Sequence, residues 1–379
     1  MRGVFWLSTA MLCYTYAGYP LLVMALARIR RRPVRTAPYE PAVSIIIAAR
    51  NEAKSIRATL ENKLQLHYPA GRVQIIVVSD ASTDGTDAIV REYEPAGVLL
   101  LRQEPRRGKT AALNLAAAHA TGRIFVFADA NSMYAADALR MLTRNFADPS
   151  VGYVTGRLVY GAAAGSSAGI GCRAYMRYED LLRRSETSLG SIVGVNGGID
   201  AVRRELLVRM HDDQLPDFVL PLQVVKQGYR VVYEPEALLY EDTLTTSSAE
   251  YRMRVRVALR AWWALSDMRA LLNVRRHGLF AMQLFSHKVL RYAACAAVPV
   301  VYAAALGASG AGLIYDVAVA LGSAFLLCAA AGFAADRAGV AAPVVSLPYY
   351  FMVINAASAD ALLKFLRGRK QAVWTPRLG

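Results

Sequence analysis

Residues 4–27 carry no charged side chain and are followed at once by Arg28, Arg30, Arg31, Arg32 and Arg35. An uncharged stretch of that kind meets the ~20 residues a helix needs to cross a bilayer, and a basic run at its end marks the side held in the cytoplasm. A cleaved secretory signal would carry its charge before the apolar segment and a small-residue cleavage site after it, so residues 1–30 read as a retained anchor. Composition agrees with a partly lipid-embedded chain: 55% of 379 residues are apolar and 19% charged, with mean hydropathy +0.26. Three further apolar stretches, 289–306, 313–335 and 340–365, predict a transmembrane region over 289–366.

Those stretches pose a parity problem. Three spans after a cytoplasmic middle region would leave the basic tail, 367–379, on the outside, although Arg367, Arg369, Lys370 and Arg377 belong inside by the positive-inside rule. Asn355, Asp360 and Lys364 make the last stretch the one expected to lie partly along the surface. Net charge is +15, which suits nucleic acid, an anionic membrane or a phosphorylated substrate. Because the arginines gather beside the apolar stretches and no nucleic-acid motif is present, nucleic acid is excluded as a partner. The four cysteines have no paired spacing, so neither a disulfide framework nor a zinc site is suggested.

Between the apolar ends, residues 40–245 alternate short β-rich runs (43–48, 73–79, 98–101, 124–128) with helical patterns (52–66, 83–93, 109–119, 136–146). Such a series predicts an α/β fold with a mainly parallel sheet, whose ligands sit at the carboxyl ends of the strands. The first run ends at Asn51 and Glu52, the second at Asp80 and the fourth at Asp129, with Asn131 two residues on. Any one of these could be an ordinary helix cap, and Ser82 or Thr83 could cap the helix after the second strand. Together they are carboxylates converging on one edge, which repel unless a cation or hydrogen-bond donors are bound there. "RRGKTAALN", residues 106–114, supplies cationic groups. It is not a Walker A loop, since Gln103 stands where that motif needs glycine. Lys109 at the head of a helix suits phosphate oxygens, as would any basic turn.

Read together, "VSIIIAARNEAKSI", "IIVVSDASTDGT", "RGKTAALNLAAAHATGRIFVFADAN", "VNGGIDAVRREL" and "LPDFVLPLQVVKQGYRVVYEPEAL" resemble, in order, the motifs of the family 2 inverting glycosyltransferases, in particular the membrane-anchored bacterial kind similar to polysaccharide synthases. The resemblance implies a Rossmann-like GT-A catalytic domain over 40–245 and a UDP-sugar donor. By the same resemblance Asp80 accepts from uracil with Asn51 and Glu52 nearby, Lys109 serves the diphosphate, and Asp129 opens a D-x-D motif for Mg²⁺ or Mn²⁺. Here the third position is Asn131, whose amide oxygen can ligate without charge. Asp217 resembles the family's general base, with Asp213 as the other nearby acid and a helix cap as its alternative role. Gly197 and Gly198 resemble the acceptor-side loop.

Downstream, "RVRVALRAWWAL" stands where polymer-making relatives carry QxxRW, so Arg260 is assigned to the donor and Trp262 and Trp263 to the acceptor. Val257 replaces the glutamine and Ala261 separates arginine from tryptophan, a departure that counts against processive synthesis. The same segment, 246–288, also reads as amphipathic helices on an anionic membrane, through Arg252, Arg254, Arg256, Arg269, Arg275 and Arg276. The expectation is an inner-membrane, multi-pass glycosyltransferase with its catalytic domain in the cytoplasm. Its acceptor would be a lipid-linked saccharide or a growing polysaccharide. The alternative is a membrane-anchored nucleotide-sugar or glycan binding protein without turnover.

Overall fold

The computed structural model describes residues 1–160, 167–241, 247–340 and 342–370. The expected domain boundary at 245/246 and residues 371–379 of the expected basic tail lie outside them. The chain divides into a helical unit, Met1–Ile29, Ala162–Leu182 and Asp242–Lys370, and an α/β unit, chiefly Arg30–Gly161 and Arg183–Glu241.

In chain order, α1 (Arg2–Cys13) and α2 (Tyr19–Ile29) are joined by a π-helical turn, Tyr14–Gly18. The sheet then begins with β1 (Val43–Ala49), α3 (Ile56–Leu64), β2 (Val73–Asp80), α4 (Thr86–Arg91), β3 (Val98–Gln103), α5 (Lys109–His119) and β4 (Ile124–Asp129). It continues with β5 (Met133–Tyr134), α6 (Ala138–Thr143), β6 (Val151–Tyr160), α7 (Ser167–Leu189), β7 (Ile199–Arg203), α8 (Pro216–Lys226) and β8 (Arg230–Glu241). Last come α9 (Ser247–Asp267), α10 (Val274–Leu284), a second π-helical turn Phe285–Val289, α11 (Leu290–Leu306), α12 (Leu313–Arg337) and α13 (Pro343–Leu366).

The strands run β3-β2-β1-β4-β7-β6-β8-β5. Pairings β2–β3, β1–β2 and β1–β4 are parallel, as a βαβ series demands, whereas β7 runs antiparallel to both β4 and β6. The sheet is therefore mixed, and its parallel half is the part the strand–helix alternation made visible. Central strands of that half are covered on both faces, and every residue of β1 is buried. β-branched Val and Ile fit such a strand, and removing one of these side chains, as in Ile46→Ala, would cost about 2–5 kcal/mol. Helix α5 is Ala- and Leu-rich, the composition with the best intrinsic helix propensity, and covers the sheet with Ala111, Ala112 and Leu113.

In the helical unit, α1 packs Phe5 against Ala304 and Ala305 of α11, whose small side chains let the helix approach. Among the described residues three helical segments are long and apolar enough to cross a membrane: Arg2–Ile29, Val274–Leu306 and Leu313–Arg337. Helix α13 is long but does not qualify, because Asn355, Asp360 and Lys364 dilute it, so among the described residues two C-terminal candidates stand where about three spans were expected.

Candidate functional site

Parallel strands in register end together, and here β1, β2 and β4 deliver polar side chains to one end of the sheet. In β4 only the last residue, Asp129, is not fully buried. The turns after β1 and β2 are laced to each other. Asn51 Oδ1 accepts from the Thr83 N–H at 2.8 Å, the Asn51 N–H donates to Ser82 Oγ at 3.2 Å, and the Glu52 N–H donates to Thr86 Oγ1 at 2.8 Å. Ser82 and Thr83 therefore join two strand ends instead of capping α4, whose N-cap is Gly85.

Asp80 is buried and engaged by its own chain. Its Oδ1 accepts from Gln103 Nε2 at 2.5 Å and the Arg107 N–H at 2.9 Å, and its Oδ2 accepts from the Gly108 N–H at 3.0 Å. Gln103, the residue that breaks the Walker spacing, is thus a partner of Asp80, and the carboxylate organises the turn that leads into α5. Lys109 follows that turn. Its Nζ lies 2.7 Å from Asp129 Oδ1 and 3.8 Å from Asp217 Oδ2. The helix it begins also positions the loop that carries Asp217: Thr110 Oγ1 donates to the Gln214 carbonyl at 2.8 Å, and Asn114 Nδ2 donates to the Met210 carbonyl at 2.8 Å. Asp213, the other acid, sits half-buried in that loop. Asp217 lies in the first turn of α8, with Pro216 before it and Pro221 inside the helix rather than in its first turn.

The glycine pair forms the opposite wall. Gly197 and Gly198 have φ of +77° and +74°, and a Cβ on Gly197 would lie 2.8 Å from Asp217 Oδ2. One on Gly198 would press on Asp129 Oδ2 at 3.3 Å and Glu241 Oε1 at 3.4 Å. Both glycines are required by what stands against them.

Asp200, two residues beyond the pair, was not among the expected site residues. It faces Phe127 across the β4–β7 register and Thr155 across β6–β7, so it shares a sheet face with Asp129. It is fully buried, and among the described residues neither carboxyl oxygen has a hydrogen-bond partner. Burial first, then repulsion from Asp217, raises its pKa far above the usual carboxylate range. The Thr155 hydroxyl and Lys109 favour the charged form but do not prevail, and Thr155 does not close a bond of normal geometry. For Lys109 burial disfavours charge, but Asp129 and Asp217 outweigh it, and the ammonium is held above the ordinary lysine range.

Two buried groups brace the Asp129–Asn131 turn from behind. The Tyr134 hydroxyl donates to the Gly198 carbonyl at 2.7 Å, and Lys63 Nζ donates to the Ser132 carbonyl at 2.6 Å and sits 3.6 Å from the Tyr134 ring centroid. Neither announces itself in sequence, since a lone Lys in a helix and a Tyr in a two-residue strand read as surface and core. Arg260, Trp262 and Trp263 belong to the helical unit. There Trp262 stacks on Phe365 with ring centroids 5.8 Å apart, and Trp263 meets the same ring edge-on at 4.8 Å, so both tryptophans serve helix packing.

A mixed sheet whose parallel half ends in carboxylates, with Lys109 between Asp129 and Asp217 and a glycine pair beside them, is a GT-A-like arrangement. Residues 44–169 match the family described as Glycosyl transferase family 2, and the chain carries a domain of that family. It is 28% identical over 256 residues to a beta-monoglucosyldiacylglycerol synthase of Nostoc sp., covering 64% of this chain and 54% of that one. To a poly-beta-1,6-N-acetyl-D-glucosamine synthase of Staphylococcus aureus it is 27% identical over 222 residues, 57% of this chain and 53% of that. The chain thus spans about half the length of these curated relatives. Over nearly its whole length it is also similar to the solved mannosyltransferase PcManGT from Pyrobaculum calidifontis in complex with GDP-Man and Mn²⁺, with TM-score 0.73, 26% identity and coverage of 97% and 99%.

Proposed function

We propose that this chain is a membrane-bound inverting glycosyltransferase that moves a sugar from a nucleoside-diphosphate donor to a lipid-linked or polysaccharide hydroxyl. The observation that carries the reading is Lys109, one ammonium 2.7 Å from Asp129 on the donor side and 3.8 Å from Asp217 on the acceptor side. A direct displacement at the anomeric carbon needs a base opposite the leaving diphosphate. Asp217, ion-paired with Lys109 and bordered by Gly197, is that base; buried Asp200 carries a proton instead and adds no second charge. Lys109 offsets charge on both sides as the proton moves to Asp217 and negative charge moves to the diphosphate.

The residues also fit a divalent cation. Asp129 and Asn131 offer hard oxygens on one turn, and among the described residues no third acidic, His or Cys side chain completes a cluster. Such a pair suits Mg²⁺ or Mn²⁺ bound jointly with substrate phosphates, and the ion would neutralise the departing diphosphate. The similar mannosyltransferase was solved with GDP-Man and Mn²⁺. UDP is the donor nucleotide implied by the likeness of Asp80, although that carboxylate already accepts from Gln103, Arg107 and Gly108. Two candidate C-terminal spans after an N-terminal anchor are compatible with a cytoplasmic α/β unit without the parity conflict that three would raise.

The test is nucleotide release by purified membranes across UDP- and GDP-sugars, with and without Mn²⁺ or Mg²⁺. Metal-dependent release from one donor is expected. Binding of donor without release, in membranes supplied with lipid extract, would overturn transfer in favour of a binding protein.

A further inference from the structure

The helical unit encloses a cavity of about 340 Å³, within the ~300–1,000 Å³ of small-ligand sites, lined from α7, α9, α11, α13 and the first π-helical turn. π-Helical turns concentrate at functional sites, and two occur among the described residues. Tyr16 of the first lines the cavity, and Arg291 lies just after the second, which is tied to the first by a 2.8 Å hydrogen bond between Tyr14 Oη and Ser286 Oγ. One irregular turn thus borders the cavity, and the other immediately precedes a helix that lines it.

Its chemistry is selective. The walls are apolar along α9 and α13, where Val257, Leu347 and Ile354 face it, and polar at tyrosine hydroxyls and Ser358. Two arginines reach in, which alone would suggest an anion. Each is already matched. Arg254 Nε donates to Glu250 at 2.8 Å, and Arg291 is paired with Glu179, which His287 also approaches at 3.5 Å. Glu179 and Glu250 are both buried. The guanidinium faces are covered too, since Tyr175 lies between Arg254 at 5.0 Å and Arg291 at 5.2 Å from its ring centroid. Each of the two lining arginines thus has its own carboxylate, and a phosphate entering here would meet two carboxylates as well as two cations. What the cavity offers is aromatic surface, hydroxyls and a hydrocarbon lining.

We propose that this cavity binds an uncharged lipid alcohol, with the hydroxyl head among the tyrosines and arginines and the chain along α9 and α13. The proposal goes beyond the transferase reading: it places a neutral lipid, in preference to a polyprenyl phosphate, within the helical unit alone. The test uses the full chain in phosphatidylcholine nanodiscs with a diazirine-bearing dioleoylglycerol. The expected result is labelling of peptides containing residues 254–258 and 347–358, competed by unlabelled dioleoylglycerol and not by undecaprenyl phosphate. Val257→Phe and Ser358→Phe, each checked for an unchanged unfolding temperature, should lower labelling at least tenfold. Glu179→Gln adds no bulk, uncovers the Arg291 charge and should let undecaprenyl phosphate compete at least tenfold better. Equal competition by undecaprenyl phosphate in the unaltered chain, or labelling indifferent to all three substitutions, would overturn the proposal. Nucleotide release measured in the same nanodiscs separates the readings: labelling without release from any donor sinks transfer alone, and release without cavity labelling sinks the lipid site alone.

Discussion

Two regions of this chain collect charged side chains, and they do so in opposite ways. At the sheet edge Asp129, Asp200 and Asp217 surround one cation, Lys109, so negative charge is in excess. In the helical unit Arg254 and Arg291 meet Glu250 and Glu179 one for one. The difference teaches what each can receive. An edge with surplus carboxylate is stable only when one acid is neutralised by a proton or a cation arrives, which suits a metal–diphosphate donor and a base that must take up a proton. A wall whose arginines are each paired gains little from an ionic ligand, which is the ground for proposing a neutral one there.

The largest expected effect tests the surplus directly. Asp217→Asn keeps the shape and removes the proposed base, and should lower kcat by about 10²–10⁴ with little change in donor KM; an unaltered kcat would remove Asp217 from the chemistry. Gly197→Ala leaves every charge in place but puts a methyl 2.8 Å from Asp217 Oδ2 at φ +77°. Displacing the base by that route should cost roughly 10²-fold in kcat, with donor binding retained. A weaker effect concerns the metal. Because Asp129 is ion-paired to Lys109 and Asn131 brings no charge, Mn²⁺ followed by electron paramagnetic resonance should bind about tenfold or more tightly when nucleoside diphosphate is present. Equal affinity with and without nucleotide would mean that the protein alone completes the coordination shell.

Much of this edge was legible in the sequence. Residues that repeat with the sheet's own logic, such as the apolar run 124–128 stopping at Asp129 or the Ala-rich helix opening at Lys109, declare both element and site. The mixed half was not legible, because β7 reaches β4 through a reversal that no local period encodes. Asp200 was missed for that reason: its importance comes from sharing a face with Asp129 across that pairing. The glycines beside it were found because positive φ and close approach restrict residue type directly. Trp262 and Trp263 show a different ambiguity. An Arg–aromatic cluster reads the same whether the rings hold a sugar or, as in α9, pack on Phe365. The cavity left no trace in sequence, since its lining comes from segments as distant as Tyr16 and Ser358.

The smallest predicted effect separates two buried groups at the edge by the sign of their pH dependence. Asp200 has a folded pKa above its ordinary 3.8, so from about pH 4 upward the folded state holds a proton the unfolded state has lost, and stability falls as pH rises through that window. Lys63 is shifted the other way, down to about 7 from 10.5 by burial, although the Ser132 carbonyl and Tyr134 ring favour its charge. Between those values the unfolded state holds the extra proton, so stability rises with pH and is lost as pH falls toward 7. Each contribution has a limiting slope of about 1.4 kcal/mol per pH unit for a single proton. Unfolding temperatures of the full chain in detergent should therefore dip near neutrality, in the absence of metal and nucleotide. Asp200→Asn should flatten the acid arm and Lys63→Met the alkaline arm, each leaving the other arm intact. A slope that survives both substitutions would assign the pH dependence to groups outside the site, whereas selective loss of one arm would mark which buried charge the surplus at this edge displaces.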